Sequence, residues 1–132
     1  MSAEILLLDV DEVLEIHATQ IELPGGAAGV RDHGLLESAI AQPQSSFGGQ
    51  FAHDGVFEMA SAYLYHIGRN HPFVDGNKRT GLLAALVFLD VNGTGIEHPS
   101  NALYLLTMGV AEGRIDKRSV ATELVRLARC KP

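Results

Sequence analysis

The sequence predicts an all-α fold of about six helices packed around a buried hydrophobic central helix. Three observations lead there. Apolar residues recur at three- and four-residue spacing in six successive segments, which places them along one face of a helix. Residues 82–89, LLAALVFL, are apolar almost all round, as a helix buried on most sides must be. Extended patterns are confined to Ile5–Leu8 and Gly95–Glu97, too short to found a sheet.

The first helix starts at Asp9. Asp9 and Glu12 have the spacing of a capping box, in which two side chains satisfy free amides at a helix start. Val10, Val13, Leu14 and His17 then share a face, and Leu23-Pro-Gly-Gly ends the helix. Asp32 caps a second helix, Gly34 to about Gln42, which turns Leu35, Leu36, Ala39 and Ile40 inward. Pro43 to Gln50 is polar and glycine-rich, hence a loop. Asp54 opens a third helix with Val56, Phe57, Ala60, Tyr63, Leu64 and Ile67 at helical spacing, and Arg69-Asn70 supply a basic last turn and a C-cap. Pro72 halts the helix and biases His71 towards extended backbone. The fourth helix, from about Asn77 to Val91, contains the apolar run and closes at Asn92-Gly-Thr-Gly. Ala102–Glu112 and Ser119–Arg129 form the last two, joined across Gly113 to Lys117.

Composition narrows the function. The 132 residues fit a single domain, 1–132, and 46% hydrophobic content is enough to bury a core. A net charge of −6 argues against a broad basic surface, so a directly bound nucleic acid is not expected. Cys130 has no partner in the chain, which rules out an internal disulfide and fits a reducing cytoplasm. No secretory pattern surrounds Met1–Leu8. The apolar run 82–89 is far short of the ~20 residues that span a bilayer, so the expectation is a soluble, cytoplasmic protein.

The chemistry concentrates in His71–Thr80, HPFVDGNKRT. The start of the fourth helix offers unsatisfied amides and a positive dipole end, a natural place for phosphate. Gly76 lets an anion approach the backbone, while Asn77, Lys78 and Arg79 add an amide, a point charge and a planar fork. Asp75 beside such a cradle calls for Mg²⁺, which takes a carboxylate or two together with phosphate oxygens. His71 can reach the same space, and an imidazole suits a general base acting on a hydroxyl. Phe73 reads as the apolar anchor of the loop. Base, metal and phosphate nest together belong to phosphoryl or nucleotidyl transfer.

Plainer readings stand beside these. Asp75 serves equally as an N-cap. Lys78 and Arg79 could be a solvated first turn, although cations at a helix start oppose its dipole and call for an anionic partner. Arg69 fits either a phosphate contact or a C-cap, and His17, His33, His53, His66 and His98 read as structural.

The run H-P-F-V-D-G-N-K-R resembles the H-x-F-x-(D/E)-(A/G)-N-(G/K)-R signature of the Fic/Doc superfamily, and Lys78 points to the Doc, or death-on-curing, branch of bacterial type II toxin–antitoxin systems. Val13-Leu-Glu-Ile-His-Ala-Thr-Gln-Ile, Gly25-Gly, Gly29-Val-Arg-Asp-His-Gly-Leu-Leu-Glu-Ser-Ala-Ile and Leu86-Val-Phe-Leu-Asp-Val-Asn-Gly look like that family too. The Fic branch transfers AMP from ATP to a protein hydroxyl. Its motif has glycine where this chain has Lys78, and a second arginine where this chain has Leu82.

The resemblance therefore implies a protein serine/threonine kinase that moves the γ-phosphate of ATP to a threonine of translation elongation factor Tu and stops protein synthesis. In that scheme His71 is the base, Asp75 the Mg²⁺ ligand, and Gly76 and Asn77 the anion nest. Lys78 and Arg79 clamp phosphates, with Arg69 as a further basic position. The implied partner is an antitoxin whose disordered tail folds along a groove of the toxin. Ser119 and Glu123 have the spacing of the family's inhibitory helix, but Leu124 follows, so they read as ordinary helix. An AMP transferase and a non-catalytic, antitoxin-dependent module remain as alternatives. A P-loop nucleotidase fits poorly, because Gly76-Asn-Lys lacks the G-x-x-x-x-G-K-(S/T) loop.

Overall fold

A computed structural model of the chain describes residues 5–21, 28–47, 50–51, 55–96 and 101–129. The turn expected at Leu23–Gly26, the helix opener Asp54, Glu97 and Cys130 lie outside them, as do His53 and His98. Six α-helices follow in order: α1 Val10–Ile21, α2 His33–Ala41, α3 Val56–Asn70, α4 Asn77–Val91, α5 Asn101–Ala111 and α6 Lys117–Arg129. The fold is all-α.

Local sequence accounts for three of the six helix starts. Asp9 accepts from the Glu12 amide (2.8 Å) and the Glu12 carboxylate accepts from the Asp9 amide (3.1 Å), completing the expected capping box. Asp32 accepts from Leu35 N at 2.9 Å. Asp116 does the same for Ser119 N at 2.8 Å, and that hydrogen bond holds its carboxyl below the usual range. The stretch expected as a loop, Pro43–Gln50, contains more order than its composition shows: a 3-10 turn at Gln42–Gln44, then a two-residue antiparallel pairing of Ser46–Phe47 (β1) with Gln50–Phe51 (β2).

The hydrophobic helix α4 sits at the centre and shares that place with α3. Leu36, Tyr63, Leu64, Ile67, Phe88 and Leu124 belong to one buried cluster that also draws on α1 and α5 through Val13 and Leu103. Helices α3 and α4 lie so close that a Cβ at Gly81 would stand 3.1 Å from the Leu64 carbonyl oxygen. Residues 5–9 run alongside as an irregular extended segment without strand pairing. Tyr63 holds them from within: its hydroxyl donates to Leu8 O (3.0 Å) and accepts from Leu8 N (2.8 Å).

The end of α3 differs from expectation. Asn70 stays within the helix, and His71, not Asn70, is its C-cap. His71 is left-handed rather than extended, with φ 48° and ψ 56°, the sole non-glycine residue with positive φ among the described residues. A helix that must stop and reverse uses such a residue at its end, and histidine tolerates it better than most. Pro72 alone points the other way, so tertiary contacts have to hold the turn.

Candidate active site

Those contacts come from residues 29–32, ahead of α2. Arg31 donates from Nε to His71 O (2.8 Å) and from Nη2 to Asn70 O (3.0 Å), satisfying the last carbonyls of α3 with a cation. Its backbone amide and that of Asp32 both donate to Pro72 O, at 2.7 and 3.1 Å. Val30 bridges Phe73, and Val74 N donates to Gly29 O at 3.0 Å. The loop 71–76 is thus strapped by a segment 40 residues away in sequence.

Beneath the strap, Phe73 is buried and its ring lies flat on His17, with centroids 3.8 Å apart and planes 7° from parallel. His17 Nε2 lies 2.8 Å from the Asp75 carbonyl oxygen. Asn77 closes the loop from the other side, accepting from Phe73 N (2.9 Å) and donating to Phe73 O (3.0 Å). Both ends of its amide are engaged by the loop, so its side chain acts as a brace, and only its backbone amide is placed to meet an anion.

Helix α4 then starts from Gly76, its N-cap, at φ 80° and with no side-chain cap. Asp75 does not cap the helix; its Oδ1 accepts from Gly76 N at 2.8 Å. Around this uncapped start opens a cleft of about 490 Å³. His71, Val74, Asp75, Gly76, Lys78 and Arg79 line one side, with Leu82 below and Tyr104, Thr107 and Met108 of α5 opposite. Lys78 and Arg79 are exposed at its edge. Among the described residues the ion pairs are Arg114–Glu112 and Arg126–Glu123, so neither cation is matched by a carboxylate. Two unmatched cations, free amides and a helix dipole give the cleft an anion-seeking end. Val74 and Tyr104, 56% and 59% exposed, give it an apolar rim.

Arg69 is not part of this arrangement. Its guanidinium turns to the C-terminus of α5 and donates to Ala111 O at 3.4 Å, which is a helix-capping contact. A larger cleft of about 790 Å³ lies towards the other end of α4, between Leu86, Asp90, Ile96 and Arg129. Phe57 at the start of α3 also borders it, but among the described residues Arg129 is its one cation, set against Asp90. No cluster of three His, Cys, Asp or Glu side chains able to hold a metal occurs among the described residues.

Residues 7–89 match the Fic/DOC family. The chain belongs to that family. Two Doc proteins are similar over most of its length. Toxin Doc of Mycolicibacterium smegmatis is 40% identical over 106 residues, covering 79% of this chain and 82% of that protein. Protein kinase doc of Escherichia phage P1 is 38% identical over 117 residues, covering 89% of this chain and 91% of that protein. For this Fic/Doc chain, sequence reasoning set His17 on the inward face of α1 and read it as structural, missing its contact with Asp75 O. It also missed Arg31, whose contacts with the end of α3 have no local signal. Glu123 of the Ser119–Glu123 spacing is paired with Arg126, and Leu124 is buried, as in an ordinary packed helix. No helix among the described residues is long and apolar enough to cross a membrane.

Proposed function

We propose that this Fic/Doc chain is the toxin of a toxin–antitoxin pair and acts as a protein serine/threonine kinase of the Doc type. It would move the γ-phosphate of ATP to a protein hydroxyl, with a threonine of elongation factor Tu as the implied target. The observation that carries this reading is the pairing of Lys78 and Leu82 on one cleft. AMP transfer in the family uses glycine and arginine at these two places. Here a cation fills the first and an apolar side chain stands at the second. The names of the two relatives, a toxin and a protein kinase, support the same reading.

In this scheme His71 takes the proton of the attacking hydroxyl as its oxygen bonds to the γ-phosphorus and the bond to the ADP oxygen breaks. Lys78, Arg79 and the amides at the start of α4 steady the charge on the transferred group. Asp75 is the residue that would hold Mg²⁺. A single half-buried carboxylate fits only an ion whose shell is completed by phosphate oxygens and water. When bound, that ion would neutralise charge across the phosphates. Control would come from a cognate antitoxin with a disordered tail that folds on the toxin.

The test uses ATP labelled at the γ or the α position, with purified elongation factor Tu. The γ label is expected on the protein. Movement of the α label instead would overturn the kinase reading in favour of AMP transfer. His71→Ala should lower transfer by about 100-fold or more and relieve growth arrest on expression; arrest that survives this change would mean that catalysis is not the function.

A further inference from the structure

We infer that His17 on α1 is a positioning residue for this site: by fixing the plane of the Asp75–Gly76 peptide, it sets where the Asp75 carboxylate and the first amides of α4 point. The importance for catalysis rests on the proposed function; the positioning itself does not.

His17 is only 4% exposed. The Asp75 carbonyl can only accept, so the His17 nitrogen 2.8 Å from it carries the proton and donates. In a trans peptide the carbonyl and the following N–H point in opposite directions. The N–H opposite this carbonyl is that of Gly76, and it donates to the Asp75 carboxylate at 2.8 Å. The same peptide plane is therefore gripped on one edge by His17 and on the other by the carboxylate. Turning the plane would release that carboxylate from its tether and swing the Gly76 N–H at the mouth of the helix. Gly76 depends on this grip because its left-handed φ of 80° gives a single glycine, free of side-chain restraint, the task of aiming α4.

His17 lies directly under the turn, since a Cβ at Gly76 would stand 3.6 Å from its Cδ2 and 3.7 Å from its Nε2. Its burial and its stack on Phe73 fix the plane of the ring, which keeps the donor aimed at the Asp75 carbonyl. An apolar residue would fill the same space equally well. What it would lack is a donor aimed at the backbone of the residue that carries the carboxylate.

Two substitutions separate the ring from the donor. His17→Phe keeps the stack on Phe73 and removes the donor; His17→Gln removes the ring and keeps an N–H. The Gly76 amide is followed in the unliganded protein by its nitrogen–proton resonance and its hydrogen exchange, with Tyr63 and Phe88 amides as controls for the core. His17→Phe is expected to move the Gly76 resonance and speed its exchange about tenfold, with the controls unchanged. His17→Gln is expected to recover most of that protection. In parallel, the Mg²⁺-dependent gain in ATP affinity should fall about tenfold in His17→Phe, the scale of losing a partner that orients a metal ligand, while ATP affinity in EDTA stays as in the parent.

An unmoved Gly76 amide in His17→Phe overturns the inference. So does equal loss of protection at the control amides, which would make His17 merely structural. His17→Met serves in place of His17→Phe if the latter does not fold. Wild-type protein that shows no Mg²⁺-dependent ATP binding would count against the proposed function, and the Gly76 amide would still decide the role of His17.

Discussion

The Thr80 hydroxyl is buried in the first full turn of α4 and, among the described residues, has no hydrogen-bond partner. A buried polar atom without a partner loses its hydration for no return. Thr80→Val replaces the hydroxyl by a methyl of similar shape and should raise stability by about 1 kcal/mol in urea denaturation, with phosphate transfer retained. At this scale the sequence discloses donor types but not where they are directed. Asn77 and Arg69 have the chemistry of phosphate contacts; in the fold the Asn77 side chain braces Phe73 and Arg69 caps α5. Nothing in a residue's identity says which of several nearby acceptors it will meet. Lys78 and Arg79 were easier to place, because helix geometry alone sets them at the first turn of α4.

Helices were legible wherever their signals are local. The capping box at Asp9 and the cap at Asp32 follow from spacings of three residues, and both form as expected. The strap over the site was not, since the Arg31 guanidinium meets carbonyls about 40 positions away and no periodicity encodes such a meeting. The same long-range contact explains why His71 is left-handed although Pro72 favours extended backbone. Arg31→Ala should therefore cost about 1 kcal/mol, the value of a lost helix-end contact. It should also reduce the rate of phosphate transfer beyond what that loss of stability explains. Arg31→Lys should restore it only in part, because a point charge cannot fork onto two carbonyls. Denaturation and initial-rate measurements on the three proteins check this.

For the molecule as a whole, the hydrophobic run in α4 announced a buried centre, and the cluster around Tyr63 and Phe88 occupies it. The attachment of residues 5–9 was not readable, since it depends on a phenol 55 positions away. Burial pushes the Tyr63 hydroxyl up to about 12 from 10.0. The folded state keeps the phenol neutral where an unfolded chain would ionise it. Its contribution is therefore complete below pH ~10 and is lost as pH climbs through about 12. Tyr63→Phe should cost about 1–3 kcal/mol at neutral pH, because Leu8 N and O lose their partner, and should remove this part of the alkaline decline. Thermal melts from pH 7 to the alkaline limit, comparing the two proteins, provide the check.

Asn77 and Asn92 lie at opposite ends of α4, and each closes a two-bond ring with one backbone residue, Phe73 for the first and Leu6 for the second. A rod clamped at both tips neither slides along its axis nor rolls about it. One bank of the anion cleft is consequently fixed with respect to the core. Any fitting of the cleft to guests of different girth then falls to the opposite bank, where Tyr104 and Met108 of α5 can turn about their side-chain torsions.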